Sequence, residues 1–266
     1  MGIISVMRFA LTKYGWPQLV IFPAMVLAAM AVCLAVGGVY LPSWTVVLVE
    51  VILAIILIWV LLFFRDPYRV PPVDERLLLS PADGRITDIE TVEAPAFRNS
   101  IGQQTSGNDT GVVLGKQEGG GGPALKIGIF LSIFDAHINR APCNVTVEKI
   151  TYRPGRYKNA ARPSSAKVNE SNELNLRRTD HPRDRLIVRQ ISGAIARRIV
   201  CRAQQGQKLS GGEKFGMIKF GSRTELYVAA GENVKILVRV GDKVKAGLTP
   251  VIRYEMQDTD NGKIQN

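Results

Sequence analysis

The chain has 266 residues, enough for one sizeable domain and an appended element. It is 46% hydrophobic with a formal net charge of +11, and the two properties are segregated, since only Arg8 and Lys13 among 34 Lys and Arg precede Arg65. A basic body beside an apolar N-terminus points to an anionic membrane surface, and with few aromatics among the cations and no nucleic-acid-binding signature, a nucleic-acid partner is excluded.

Leu19 to Gly37 is an uncharged apolar run containing Pro23, and Trp44 to Phe64 is a second with one acid, Glu50. Each is long enough to cross a hydrocarbon core of about 30 Å as a helix. A signal peptide would account for the first run but not for a second directly after it. The short uncharged connection Gly37 to Ser43 makes residues 1–64 a tight hairpin. Arg8 and Lys13 before it and Arg65 and Arg69 after it place both ends on the cytoplasmic side of the cell membrane. The alternatives are a buried helical hairpin of a soluble core and a hairpin lying in one leaflet.

Residues 65–266 read as a second, β-rich unit, so the fold class is mainly β (α+β) behind a two-helix hairpin. It opens with a neck, Phe64-Arg-Asp-Pro-Tyr-Arg-Val-Pro-Pro72, that cannot continue a helix. Leu77 to Ile86 then reads as two short strands about a turn at Asp83-Gly84. Residues 98–123, rich in Gly, Asn, Gln and Ser, read as a mobile loop inserted between strands. Strands are expected at Leu125 to Ile133, Val145 to Tyr152, Leu186 to Gln190 and Arg197 to Arg202. Gly206-Gln-Lys-Leu-Ser-Gly-Gly212 and Gly241-Asp-Lys-Val-Lys-Ala-Gly247 echo each other, which suits a barrel-sandwich-like part built from two similar halves. Such turns also occur in biotinyl and lipoyl carrier domains, but the hairpin-tip lysine those carriers modify is not evident. Cys33, Cys143 and Cys201 are odd in number and lack metal-ligand spacing, so buried reduced thiols are expected and no metal site.

The stretch Phe215-Gly-Met-Ile-Lys-Phe-Gly-Ser-Arg-Thr-Glu-Leu226 reads as two strands flanking Gly221-Ser222. Gly221 permits backbone geometries closed to other residues, and a Ser222 hydroxyl held in a strained turn can attack the carbonyl before it, turning an amide into an ester. Taken alone, the dipeptide is equally an ordinary hairpin turn. Such a reaction needs a base, and the chain has two histidines. His137 follows an apolar strand, where catalytic side chains are displayed, whereas His181 sits in a hydrophilic turn. Asp83 is the candidate acid that would orient the imidazole in a Ser-His-Asp arrangement.

Four segments, Phe64-Arg-Asp-Pro67, Ser80-Pro-Ala-Asp-Gly84, Asp135-Ala-His-Ile-Asn-Arg-Ala-Pro142 and Phe215 to Arg223, stand in the order seen in phosphatidylserine decarboxylase proenzymes, and the chain resembles their short bacterial and archaeal branch. Asn169-Glu-Ser-Asn-Glu-Leu-Asn175 is similar to that family's Glu/Asn-rich stretch. Glu225 stands where Asp is commoner, and Arg140 falls near the place of a second histidine in the long branch. The resemblance implies autocatalytic serinolysis between Gly221 and Ser222 and a covalent pyruvoyl cofactor derived from Ser222. It also implies two chains, a large β chain (1–221) and a small α chain (222–266), acting as a heterodimer. The pyruvoyl ketone would condense with the amine of phosphatidylserine in the membrane and take up the electrons released with carbon dioxide, giving phosphatidylethanolamine. The competing readings are a pyruvoyl decarboxylase of another amine-bearing carboxylate and a membrane-anchored β-domain without catalysis. Because every residue assigned to cleavage lies after position 80, a chain starting near Asp66 is expected to be soluble and still to cleave itself.

Overall fold

Long apolar runs become helices because a helix satisfies its own backbone groups where water cannot. A computed structural model describes residues 10–94, 122–181, 184–194, 198–219 and 221–255. Helix α1 spans Gln18–Val32, runs through a π-helical turn at Cys33–Gly37 and ends as the short α2, Gly38–Tyr40; α3 spans Ser43–Phe63. Only Leu41 and Pro42 separate the two arms, a shorter connection than the one expected, because Gly37 and Gly38 are absorbed into the helix. Met25, Val32, Leu34, Val47, Ile55 and Ile58 are all more than half exposed. The outer faces of the hairpin are therefore bare, unlike those of a core helix, and water would leave this apolar surface unpaired.

The base of the hairpin is tied into the rest of the molecule. The Thr12 amide donates to the Phe64 carbonyl (2.9 Å), the Asp66 amide donates to the Ala10 carbonyl (2.7 Å), and the Tyr14 hydroxyl donates to the Lys214 carbonyl (3.1 Å). Tyr14, Val60, Phe63, Phe64 and Met217 form one buried cluster. The last turn of α3 thus packs into the β-rich part of the chain.

The remainder is antiparallel β. In chain order the strands are β1 Leu77–Leu79, β2 Gly84–Ala94, β3 Gly122–Leu131, β4 Ile138–Arg140, β5 Val145–Arg153, β6 Ser171–Arg178, β7 Arg185–Ile191, β8 Arg198–Cys201, β9 Lys208–Leu209, β10 Lys214–Lys219, β11 Ser222–Ala229, β12 Val234–Ile236, β13 Lys243–Val244 and β14 Pro250–Tyr254. An eight-stranded sheet runs β13-β2-β3-β11-β7-β6-β5-β9, with three-stranded sheets β4-β10-β8 and β1-β14-β12 beside it. The glycine-rich stretch 98–123 lies outside the described residues except for Gly122 and Pro123, which open β3.

The two echoed segments have like geometry. Gly206 and Gly212 (φ 82° and 77°) bracket β9, and Gly241 and Gly247 (φ 99° and 68°) bracket β13. These two strands are the opposite edges of the large sheet. Left-handed torsions at all four positions explain why each turn is written with glycine. The core beneath is apolar, with Ile127, Ile129, Val145, Leu174, Val188, Leu226 and Val228 among its fully buried members.

One feature of this topology positions the chemistry. β10 and β11 are consecutive in sequence but lie in different sheets, so the chain crosses from one sheet to the other between Lys219 and Ser222.

Candidate active site

At that crossing Gly221 has φ +59°, a left-handed torsion that disfavours any side chain. Ser222 then enters β11 and pairs with Leu131 of β3, while Arg223 pairs with Ile191 of β7. Continued by two residues, the second register sets Gly193 opposite Gly221. The contact is close, since a Cβ on Gly193 would lie 2.0 Å from the Gly221 carbonyl oxygen. Asn169 and Glu170 hold the Gly193 segment in place. The Asn169 side-chain amide donates to the Ser192 carbonyl (2.8 Å), and the Ser192 amide donates to the Glu170 carbonyl (2.9 Å). The Glu/Asn-rich stretch therefore braces the segment after β7 that lies against the Gly221 carbonyl.

Ser222 is fully buried, and among the described residues its Oγ has no hydrogen-bond partner. A buried hydroxyl left unpaired is costly, so its place needs a reason beyond packing. Ser222 is also a fit precursor for a pyruvoyl group, because Gly221 and Gly193 leave the adjoining carbonyl unshielded by side chains.

His137 lies between β3 and β4 in a turn fixed by Asp135, whose carboxylate accepts from the Ser132 amide (2.8 Å) and hydroxyl (2.7 Å). Its Nδ1 is 2.9 Å from the Asp135 carbonyl. A carbonyl only accepts, so Nδ1 carries the proton and Nε2 presents a lone pair. Nε2 is buried and, among the described residues, unpartnered. The Phe63 ring covers the imidazole, with centroids 4.4 Å apart. Burial pulls the His137 pKa down to about 4, so the ring is neutral at physiological pH.

A chain of buried amides aligns the two strands that carry these groups. Asn172 donates to Gln190 (3.1 Å), Gln190 to Asn139 (2.9 Å), and Asn139 to the Thr224 hydroxyl (3.0 Å). Asn139 of β4 thus meets Thr224 of β11, and His137 and Ser222 each stand two residues before that contact in sequence. The His137 carbonyl also accepts from the Ile218 amide, on the strand leading to the crossing (3.2 Å).

Asp83 is buried, but the structure does not bring it to the imidazole. Both Arg69 guanidinium nitrogens donate to its carboxylate, one at 2.7 Å, and the Ala246 amide donates to it at 2.8 Å. The expected Ser-His-Asp chain is therefore not closed: a backbone carbonyl orients His137, and Asp83 clamps the neck to the turn before β14. Arg140, near the place of the long branch's second histidine, donates to the Gly212 and Pro67 carbonyls (both 3.0 Å). His181 is exposed in the turn after β6, at the end of that strand remote from Glu170 and Ser192, roughly 20 Å away by strand rise.

Beyond Ser222, Arg223 is fully buried. It donates to both Asp88 oxygens (2.6 and 2.7 Å), to Glu225 (2.8 Å) and to Thr87 (2.7 Å). The guanidinium lies over Gly128, where a Cβ would be 1.9 Å from Nη2. Sequence reading missed Gly193, Asn139, Gln190 and the Arg223–Asp88 pair. The signal available was an Arg and a Glu alternating in an otherwise buried strand, since buried charges must be paired.

The family model described as phosphatidylserine decarboxylase matches residues 56–251. A phosphatidylserine decarboxylase proenzyme of Gluconacetobacter diazotrophicus is 42% identical over 193 residues, covering 73% of this chain and 76% of that protein. Proteins of the same description from Pelagibacter ubique and Rhodopirellula baltica are 40% and 35% identical. The first match covers 72% of this chain and 78% of the relative, and the second covers 91% and 88%.

Proposed function

This chain belongs to the phosphatidylserine decarboxylase family, and we propose that it cuts its own Gly221–Ser222 bond and then converts phosphatidylserine to phosphatidylethanolamine. The observation that carries this reading is a buried Ser222 Oγ following a left-handed glycine, with a neutral His137 in the turn leading into β4, its Nε2 and that Oγ both unpartnered among the described residues. His137 takes the Oγ proton, Oγ attacks the Gly221 carbonyl carbon, and the amide becomes an ester as the C–N bond breaks and the Ser222 nitrogen leaves as a free amine with the proton returned by the imidazole. Neutrality suits the imidazole to this task, because an imidazolium has no lone pair to offer. Gly193 leaves room for the carbonyl oxygen as its carbon becomes tetrahedral. Asp83, in the turn between β1 and β2, serves here as a fixed negative charge that favours protonated His137 without touching it.

A pyruvoyl group formed at position 222 supplies the electron sink for loss of carbon dioxide. The residues of β11 keep that position in place after the cut. Hydrogen bonds to β3 and β7 on either side, together with Arg223, hold the 222–266 chain against the 1–221 chain as a heterodimer. The hairpin 1–64 is read as seated in the cell membrane with the domain 65–266 on the cytoplasmic side. The paired glycine turns at the two sheet edges support a barrel-sandwich-like reading of the C-terminal part.

The test is Ser222→Ala. It should remain one full-length chain without decarboxylase activity, whereas the parent yields two fragments. Two fragments from the alanine variant would move the nucleophile elsewhere. Cleavage of the parent without activity on phosphatidylserine would favour another amine-bearing carboxylate as substrate.

A further inference from the structure

Lys219 lies three residues before Ser222 at the end of β10 and is 3% exposed. Its Nζ donates to Gln18 Oε1 at 2.7 Å, and among the described residues no carboxylate forms an ion pair with it. The residue paired with it across the sheet is Arg198, another cation. Burial and Arg198 lower the Lys219 pKa to about 8, as expected for an ammonium that lacks a counter-ion. A buried charge without a counter-ion is the unusual case, and an anion brought in from outside would complete it.

The location narrows that anion. Gln18 is the first residue of α1, so its positive helix end lies at the same place. Strand alternation puts Lys219 on the face of β10 that also carries Met217, the face packed against Phe63 and Phe64 at the foot of the hairpin. In the membrane reading this is the level of the lipid headgroups. We propose that Lys219 and Gln18 form a subsite for the phosphodiester of the substrate lipid, holding the headgroup within reach of position 222.

The phosphodiester fits better than the serine carboxylate on energetic grounds. A cation on the carboxylate would stabilise the charge that decarboxylation removes and so slow the reaction. The phosphate keeps its charge throughout, and binding it positions the amine without opposing the chemistry.

This inference rests on the proposed decarboxylase activity, and its test separates the two. Full-length protein in phosphate-free buffer is assayed on phosphatidylserine and on an O-acyl serine, which has the amine, carboxylate and tail but no phosphate. Rates are normalised to the cleaved fraction. Lys219→Met should lower kcat/KM on phosphatidylserine by about 10- to 100-fold, mostly through KM, and leave the O-acyl serine rate within about twofold. Lys219→Arg should restore most of the loss. Gln18→Glu, which supplies an internal counter-ion, should also weaken phosphatidylserine selectively, and it carries the test if Lys219→Met does not mature. Equal losses on both substrates, or no loss on either, overturn the subsite. A parent protein that acts on neither substrate overturns the decarboxylase reading itself.

Discussion

At position 193 a methyl group would lie 2.0 Å from the oxygen of Gly221, and the residue has no left-handed torsion that would otherwise call for glycine. Gly193→Ala should therefore fold yet slow self-cleavage at least about tenfold by displacing the carbonyl, read as the rate of fragment appearance on a denaturing gel. Gly206→Ala is the contrasting control. Its added Cβ meets nothing, but its φ of 82° is strained, so it should lose about 1 kcal/mol of stability and still mature at the parental rate. His137 makes a prediction about pH. Its neutral form is the base, so cleavage should be flat across neutral pH and fall only as pH drops through about 4. The same depressed pKa, against an ordinary value of 6.5, gives a contribution to stability that is complete above pH 6.5. That contribution declines by up to about 3 kcal/mol as pH falls towards 4. Ser222 and His137 were legible because a Gly-Ser between two strands and a scarcity of histidines narrow the choice to a few residues. Gly193 was not, because a glycine after a strand reads like any turn, and its purpose is set by a carbonyl 28 positions away.

Phe63, the last residue of α3, packs on the imidazole, so the hairpin does more than tether the domain. The sequence places all cleavage residues after position 80, which makes a start at Asp66 look harmless. The structure shows that such a start strips the cover from His137 and bares Met217. A 66–266 chain should therefore mature slowly, with its pH profile moved up towards the ordinary imidazole value. Phe63→Ala in the full-length chain should shift the profile the same way with a smaller loss of rate, as single-turnover cleavage across pH would show. The neck acts through Asp83, which holds Arg69 and the Ala246 amide. Asp83→Asn and Arg69→Met should lower thermal stability by similar amounts, and the double variant by little more than either. If Asp83→Asn instead abolishes cleavage at unchanged stability, its charge on His137 outweighs its part in the clamp. The strands themselves were largely legible from apolar runs and glycine turns. Their assignment to three sheets was not, since strand pairing depends on contacts far apart in sequence.

Taken whole, the molecule is a β body with an apolar hairpin rooted in its core, and the bond proposed for cleavage lies where the chain passes between two sheets. The cut should not release the small chain, because β11 is paired along its length with β3 on one side and along most of it with β7 on the other. The fragments should co-purify under native conditions and separate only in denaturant. The bare faces of α1 and α3 predict that the full-length protein stays with membranes through high-salt and carbonate washes, which remove proteins held by surface charge alone. The segregation of apolar and basic residues made this division legible from composition. The rooting of the hairpin was not, because Tyr14, Phe63 and Phe64 look like the rest of an apolar run until their partners on β10 are known.

The most direct test of the central claim is the intact mass of the purified full-length protein under denaturing conditions. Two chains are predicted, one ending at Gly221 and one beginning at position 222, the second lighter by one ammonia than a peptide with a free N-terminal serine. A single uncut chain, or a small chain retaining its serine amine, would contradict the account.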